Sequence, residues 1–196
     1  MLPKTSELRL FLSEIAKSPI QMGAIWPSSP ALGKAMARWM PATGGDLMLE
    51  LGPGTGIVTE ELLKTGLPQS RLVAVEKSER LVGFLRGRFP EARFIAGDAL
   101  ELERVLDGMK FGAVFSCLPL KLFSPEQLER IASAISNVLL PGGHLVQFSY
   151  QIIGRSVPGK IFRPVDSKIV WNNFPPAKVS VYRSKIEGAS KDHHRN

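Results

Sequence analysis

One cysteine, Cys117, stands alone in a chain of 196 residues. That count excludes an internal disulfide and any multi-cysteine zinc site, and no metal is expected. Long apolar runs are also missing. No stretch approaches the roughly 18 apolar residues of a membrane-crossing helix, and no secretory leader pattern opens the chain. The expectation is a cytoplasmic protein whose contact with any membrane is peripheral. Acidic residues are in the minority, 18 against 25 Lys and Arg, which leaves a net charge of +7 and a pI near 9.8. The excess favours an anionic partner such as RNA, DNA or an anionic lipid surface, and a basic soluble protein with no polyanionic partner has the same composition. Hydrophobic content of 44% with 22% charged residues excludes a disordered chain. The length suits one domain with a sizeable core, and neither an internal repeat nor an interdomain linker interrupts it.

Against these absences stands one stretch, Leu47-Met-Leu-Glu-Leu-Gly-Pro-Gly-Thr-Gly56. An apolar run with one acidic residue passes directly into glycines at 52, 54 and 56, and a helix-like pattern (Val58, Leu62, Leu63) follows. Glycines at a strand end let a ligand approach the backbone, because no Cβ intervenes. In an open α/β sheet such a loop lies at the carboxyl ends of the strands, where ligands bind.

The rest of the chain supplies that sheet. Apolar stretches at 47–51, 71–75, 92–96, 113–117 and 144–150 read as strands. Helical patterns at 56–65, 78–88, 99–107 and 125–139 separate them. The alternation predicts a Rossmann-like α/β fold, a mostly parallel sheet with helices on both faces. Residues 165–173 and 178–183, joined through Phe174-Pro-Pro176, read as an antiparallel pair that brings the sheet to seven strands. Ahead of the sheet, residues 4–17 place Leu8, Phe11, Leu12 and Ile15 on one helical face. Such a helix suits a lid on the core and a membrane surface equally. A segment with three prolines spans 18–30, and Ser28 or Ser29 is positioned to cap a helix over 31–40. The folded unit is therefore expected at 18–184, with a polar tail expected to be disordered at 185–196.

Pro53 breaks the usual dinucleotide spacing of the glycine loop. Glu76 ends the second strand, about 20 residues beyond the loop, where a carboxylate accepts ribose hydroxyls and where an exposed strand end would also lie. Asp98, in Gly97-Asp-Ala99, ends the third, where it suits an adenine amine or a helix cap. Together Glu50-Leu-Gly-Pro-Gly-Thr-Gly56, Val75-Glu76 and Gly97-Asp-Ala99 resemble the motifs of class I S-adenosylmethionine-dependent methyltransferases over about residues 20 to 184. The resemblance implies S-adenosylmethionine as cofactor and S-adenosylhomocysteine as product. It places Glu50, Gly52, Pro53, Gly54, Thr55 and Gly56 around the methionine part, Glu76 and Lys77 at the ribose, and Asp98 and Ala99 at the adenine. Ser116 and Leu118, at the exit of strand four, would border the reactive methyl. Cys117 reads as a small buried residue rather than a nucleophile.

Two subfamilies share this loop. The ribosomal RNA adenine dimethylases follow strand four with an Asn-(Leu/Ile)-Pro-(Tyr/Phe) motif that holds a flipped-out adenine. Here the segment is Cys117-Leu-Pro-Leu120, without asparagine or aromatic ring. Bacterial phospholipid N-methyltransferases, which methylate phosphatidylethanolamine, are the closer resemblance. It rests on Ser18-Pro-Ile-Gln-Met-Gly-Ala-Ile-Trp-Pro-Ser-Ser-Pro30, Ser116-Cys-Leu-Pro-Leu120, Gln147-Phe-Ser-Tyr150 and Val170-Trp-Asn-Asn-Phe-Pro-Pro-Ala-Lys-Val-Ser-Val-Tyr-Arg183. It implies a monomeric enzyme on the inner face of the plasma membrane, with a phospholipid substrate and RNA the less suited partner. Tyr150 is the candidate catalytic wall of the amine pocket, through cation–π contact, with core packing as its plain alternative. Pro119 and Leu120 are candidate substrate contacts. Arg155 and Arg163, in a segment mixing bases with apolar residues, suit a lipid phosphate or a solvated loop. A small-amine methyltransferase and a non-catalytic cofactor-binding protein with a basic surface remain as other readings. His144, after Gly142-Gly143, is expected at the opposite end of the sheet with a structural role.

Overall fold

The computed structural model describes residues 28–41, 45–153 and 157–185. The amphipathic helix expected at 4–17, residues 18–27 of the proline-punctuated segment, and the tail from 186 onward lie outside the described residues.

The first described helix, α1 (Pro30–Ala37), starts where Ser29 accepts the Leu32 N–H at 3.2 Å, with Pro30 pre-setting the first turn. Then come β1 (Met48–Leu51), α2 (Ile57–Leu63), β2 (Leu72–Glu76), α3 (Glu79–Arg88), β3 (Arg93–Ala96), the short α4 (Leu102–Leu106), β4 (Phe111–Ser116) and α5 (Pro125–Val138). The chain closes with β5 (Leu139–Ser149), β6 (Phe162–Val170) and β7 (Ala177–Ser184). The sheet has seven strands in the order β3-β2-β1-β4-β5-β7-β6. The first five run parallel, and β7 pairs antiparallel with both β5 and β6.

Side chains alternate across a strand, and here that alternation divides the core in two. Met48, Ala74, Phe94, Phe115, Val146 and Val179 face α1, α2 and α3. Leu49, Leu51, Val73, Val75, Val114 and Leu145 face α4 and α5. Helix α5 is held at its start by a reciprocal cap: Ser124 Oγ accepts the Gln127 N–H, and Gln127 Oε1 accepts the Ser124 N–H.

The expected fold class holds, with changes at element ends. Strand β5 begins at Leu139 rather than 144, because the chain pairs with Phe111 before a register shift and resumes pairing at Ala113–His144. Strand β6 begins earlier, at Phe162, whose ring is buried, and ends at Val170, before a wider turn than the proline pair alone would make. Lys185, expected in the tail, continues the fold by donating its N–H to the Ile161 carbonyl at 2.8 Å.

Two glycines near or within α3 make opposite demands. At Gly56 the backbone is left-handed (φ 82°), and a Cβ would lie 2.8 Å from Leu85 Cδ2 and 2.9 Å from Phe89 Cε2. At Gly83, exposed within α3, a Cβ would meet nothing within 4 Å. Gly56→Ala should therefore destabilise the protein by about 1–3 kcal/mol. Gly83→Ala should stabilise it by about 0.5–1 kcal/mol through helix propensity. Urea-unfolding midpoints of the two variants check both signs.

Candidate active site

From β1 the chain moves outward to β2 and β3, then returns to the other side of β1 with β4. The crevice between the β1 and β4 exits is thus the topological switch point, where α/β sheets bind ligands. The strands end level with one another: Leu51 is in register with Val75 and with Ser116, and Glu76 with Ala96. The exits of four strands therefore meet at one rim.

Close approach shapes this rim. Gly52 (φ 68°) donates its N–H to the Val75 carbonyl, and the Cys117 N–H donates to the Leu51 carbonyl. A Cβ on Gly52 would come within 3.2 Å of Leu118 Cδ2, so the β1 and β4 loops stand almost in contact. Behind the loop, the buried Pro53 carbonyl accepts the Gly56 N–H. Arg88 donates to the Thr55 carbonyl at 2.8 Å and pairs with Glu60, fixing the loop to α3.

Three carboxyl groups line up along the strand ends. Glu76 holds two loops together, its carboxylate accepting the Gly54 N–H at 3.1 Å and the Ser78 N–H at 3.0 Å. Asp98 accepts the Leu100 N–H at 3.0 Å and pairs with the Lys77 ammonium at 2.9 Å. Its expected alternative role, a cap, is thus real and coexists with its place at the rim. Burial works to raise the Asp98 pKa, but the Leu100 N–H and Lys77 outweigh it and the net shift is downward. Ala99, next to it, is buried.

Glu50 is different. It is fully buried beneath the loop, with Oε2 accepting the Thr59 hydroxyl at 2.6 Å. Burial, with the charge of Glu76 adding to it, raises its pKa from 4.5 to about 8, against the Thr59 hydrogen bond. Among the described residues, Glu50 Oε1 and Ser116 Oγ are buried without a hydrogen-bond partner.

On the other side of the crevice the wall is apolar. Leu118 and Leu120 pack on the second core layer, and the Gln147 amide donates to the Leu118 carbonyl at 3.3 Å, bracing the β4 exit. Pro119 opens the helical turn there, its carbonyl accepting the Leu122 N–H. Cys117 is a free thiol whose pKa is pushed well up by burial and by Glu50 and Glu76, so it stays protonated. Tyr150 follows β5, packs edge-on against Phe148 at 5.5 Å, and hydrogen-bonds through its hydroxyl with Asn173. Burial raises the phenol pKa above its ordinary 10, so it too is protonated at neutral pH.

One expected site residue does not join this group. Arg163 pairs in register with Arg183, which pairs with His144, so it lies at the amino end of the parallel strands. The hairpin returns antiparallel, and the start of β6 falls at the far end from the glycine loop. Arg155 lies outside the described residues. His144 is at that far end as expected, bonded to the Trp39 carbonyl at 2.6 Å, with burial lowering its pKa.

Thr59, Gln147, Ser78 and Asn173 are contributors that pattern reading misses. Thr59 reads as an ordinary helix residue until Glu50 is placed under it. Asn173 is buried, accepting the Ser29 N–H at 3.1 Å and donating to the Pro175 carbonyl at 2.7 Å. It ties the cap of α1 to the tip of the hairpin.

Residues 48–143, from the first residue of β1 into β5, match the methyltransferase domain family. Over 180 residues the chain is 29% identical to an ornithine lipid N-methyltransferase of Singulisphaera acidiphila, covering 86% of this chain and 91% of that one. The chain is an S-adenosylmethionine-dependent methyltransferase with the class I fold. Within these methyltransferases it is also 30% identical over 115 residues to a probable ribosomal RNA small subunit methyltransferase A of Thermococcus onnurineus, but it spans only 39% of that protein. The N-methyltransferase NodS of Bradyrhizobium japonicum, solved with S-adenosyl-L-homocysteine, shares the fold with a TM-score of 0.67 at 16% identity, covering 90% of this chain and 99% of that one.

The site's own residues fit the methyltransferase cofactor. S-adenosylmethionine presents an ammonium, ribose hydroxyls and an adenine amine, all donors. The rim presents acceptors in Glu76 and Asp98, with the unpartnered Glu50 Oε1 beneath the loop, a bare backbone at Gly52 and an apolar wall at Leu118. Bound there, the cofactor supplies an activated methyl group on its sulfonium.

Two measurements check this assignment. Glu76→Ala removes the bridge between loops together with the carboxylate that the ribose would meet, and titration calorimetry with S-adenosylhomocysteine should detect no binding. For Glu50, a carboxyl whose folded pKa is raised favours the folded state at low pH and loses that contribution as pH climbs from 4.5 towards about 8. Glu50→Gln lacks this loss. Its stability relative to the parent should improve by on the order of a few kcal/mol between mildly acidic and mildly alkaline pH, read from urea midpoints without cofactor.

Proposed function

We propose that this methyltransferase transfers methyl groups to the amine of a membrane lipid headgroup, with phosphatidylethanolamine and its partly methylated forms as substrates. The observation that carries the reading is the similarity to a lipid N-methyltransferase along 91% of that protein's length. The ribosomal RNA relative matches over 39% of its length. The β4 exit agrees with the lipid reading, since Cys117-Leu-Pro-Leu120 offers neither an amide nor an aromatic ring to a flipped base.

A lipid amine is an ammonium at neutral pH, with a pKa of about 10, and must shed a proton before it attacks. With its proton passed to solvent, the amine would accept the methyl group that the sulfonium supplies, the Gly52–Gly56 loop, Glu76 and Asp98 holding a donor that would leave as the neutral thioether. The donor is already activated, so positioning and removal of water account for most of the acceleration asked of the protein. Leu118, Pro119 and Leu120 supply a dry wall. Tyr150, held by Phe148 and Asn173, presents a ring that favours the cationic product through cation–π attraction. Its phenol remains protonated, so the hydroxyl orients rather than deprotonates.

The test is incubation with labelled S-adenosylmethionine and vesicles of phosphatidylethanolamine, vesicles containing ornithine lipid, or ribosomal RNA. Label in phosphatidylethanolamine supports the reading, label in ornithine lipid alone moves the substrate, and label in RNA alone refutes it. Tyr150→Phe should keep most of the lipid activity, whereas Tyr150→Ala should lower kcat by about tenfold or more.

A further inference from the structure

Among the described residues, four large apolar side chains are exposed: Ile153, Val165, Trp171 and Phe174. Three of them share one end of the molecule. Ile153 (92% exposed) lies in the loop leaving β5. Trp171 (69%) and Phe174 (80%) lie in the turn joining β6 to β7. Ser149 is in register with Lys178, and Val170 with Ala177, so both loops project past the carboxyl end of β5, on the rim that holds Tyr150.

This exposure is built into the turn. Between Trp171 and Phe174, Asn173 is buried and bonded to Ser29, Pro175 and Tyr150. Anchoring the middle of the turn inward directs its two aromatic neighbours outward. An exposed aromatic pair on a fixed tip, at the rim that holds Tyr150, needs an apolar or interfacial partner.

Charge identifies the partner. Residues 1–129 contain fifteen basic and fifteen acidic side chains, and residues 187–196 two of each. Residues 130–186 contain eight basic and one acidic, Asp166, so the +7 excess falls in that segment, with Arg163, Arg183 and Lys185 at the far end of the hairpin from the turn. Lys168 and Lys178 flank the turn itself, and no acidic residue occurs from 167 to 186. Trp and Phe beside Lys is the composition that seats in the headgroup layer of an anionic bilayer.

We propose that Trp171 and Phe174 form a wedge that inserts into the surface of an anionic bilayer, with Ile153 beside them, and so presents the Tyr150 pocket to a lipid amine at headgroup depth. The choice of a lipid over a protein partner rests on the function proposed above. The wedge acts on access to the substrate and takes no part in methyl transfer.

The full chain is mixed with vesicles of phosphatidylethanolamine and phosphatidylglycerol, and partition is measured by co-sedimentation. Trp171→Ser with Phe174→Ser should lower the partition coefficient roughly tenfold or more. Its methylation of dispersed, short-chain phosphatidylethanolamine should match the parent, which also shows that the variant folds. With Trp26 and Trp39 replaced by Phe, the remaining Trp171 should be quenched by brominated lipid. A double variant that partitions like the parent, or a Trp171 that stays unquenched, overturns the wedge while leaving lipid methylation intact. Self-association in solution that depends on the two aromatics, without vesicle partition, overturns it in favour of a protein contact. Tip-dependent partition with no lipid methylated supports the wedge and refutes the substrate instead.

Discussion

A protonated carboxyl beneath the glycine loop is the constraint on which the site depends. Glu50 sits in β1, the middle of the five parallel strands, with its partner Thr59 on α2, and this one hydrogen bond joins the strand before the loop to the helix after it. An ionised Glu50 would leave a charge without water in a dry core. The fold therefore keeps the group neutral in the absence of ligand, and a cationic ligand nearby would draw it back toward the ionised form. Loop geometry, strand order and cofactor electrostatics all meet at this residue.

From that point the rim divides by chemistry. The β1, β2 and β3 exits offer fixed acceptors, held by the Thr59 hydroxyl, by backbone N–H groups and by an ammonium before any ligand arrives. The β4 and β5 exits offer carbon surface, a protonated thiol and a protonated phenol. A polar half that holds a donor molecule and an apolar half that receives an acceptor amine is a workable division for a reaction driven by positioning.

The polar half was legible in the sequence and the apolar half only partly so. In a parallel sheet every strand ends at the same rim, so Glu50, Glu76 and Asp98 can be placed from the strand pattern alone. Arg163 was misplaced because register decides which end of an antiparallel hairpin reaches the rim, and β6 starts three residues before its alternation becomes visible. Asn173 and Thr59 were invisible for another reason. Their partners, Ser29 and Glu50, are distant in sequence or on a different kind of element, and no periodicity announces a single hydrogen bond. Among the helices, α1, α3 and α5 were clear from their caps and apolar faces, while the pairing of Leu139 with Phe111 of β4 was hidden because the helical pattern runs through 139 and Pro141-Gly-Gly143 follow it.

The outer strands have a further consequence. On one edge, β3 has only four residues and exposes Arg93. On the other, β6 has Pro164 with no N–H to donate, a register break between Pro164 and Asp166, and exposed Arg163 and Lys168. Neither edge offers the flat run of unpaired backbone that an incoming strand needs. Growth of the sheet by β-addition, the default hazard of an open α/β fold, is blocked on both sides. Recognition of a partner is thereby left to the loops at its ends.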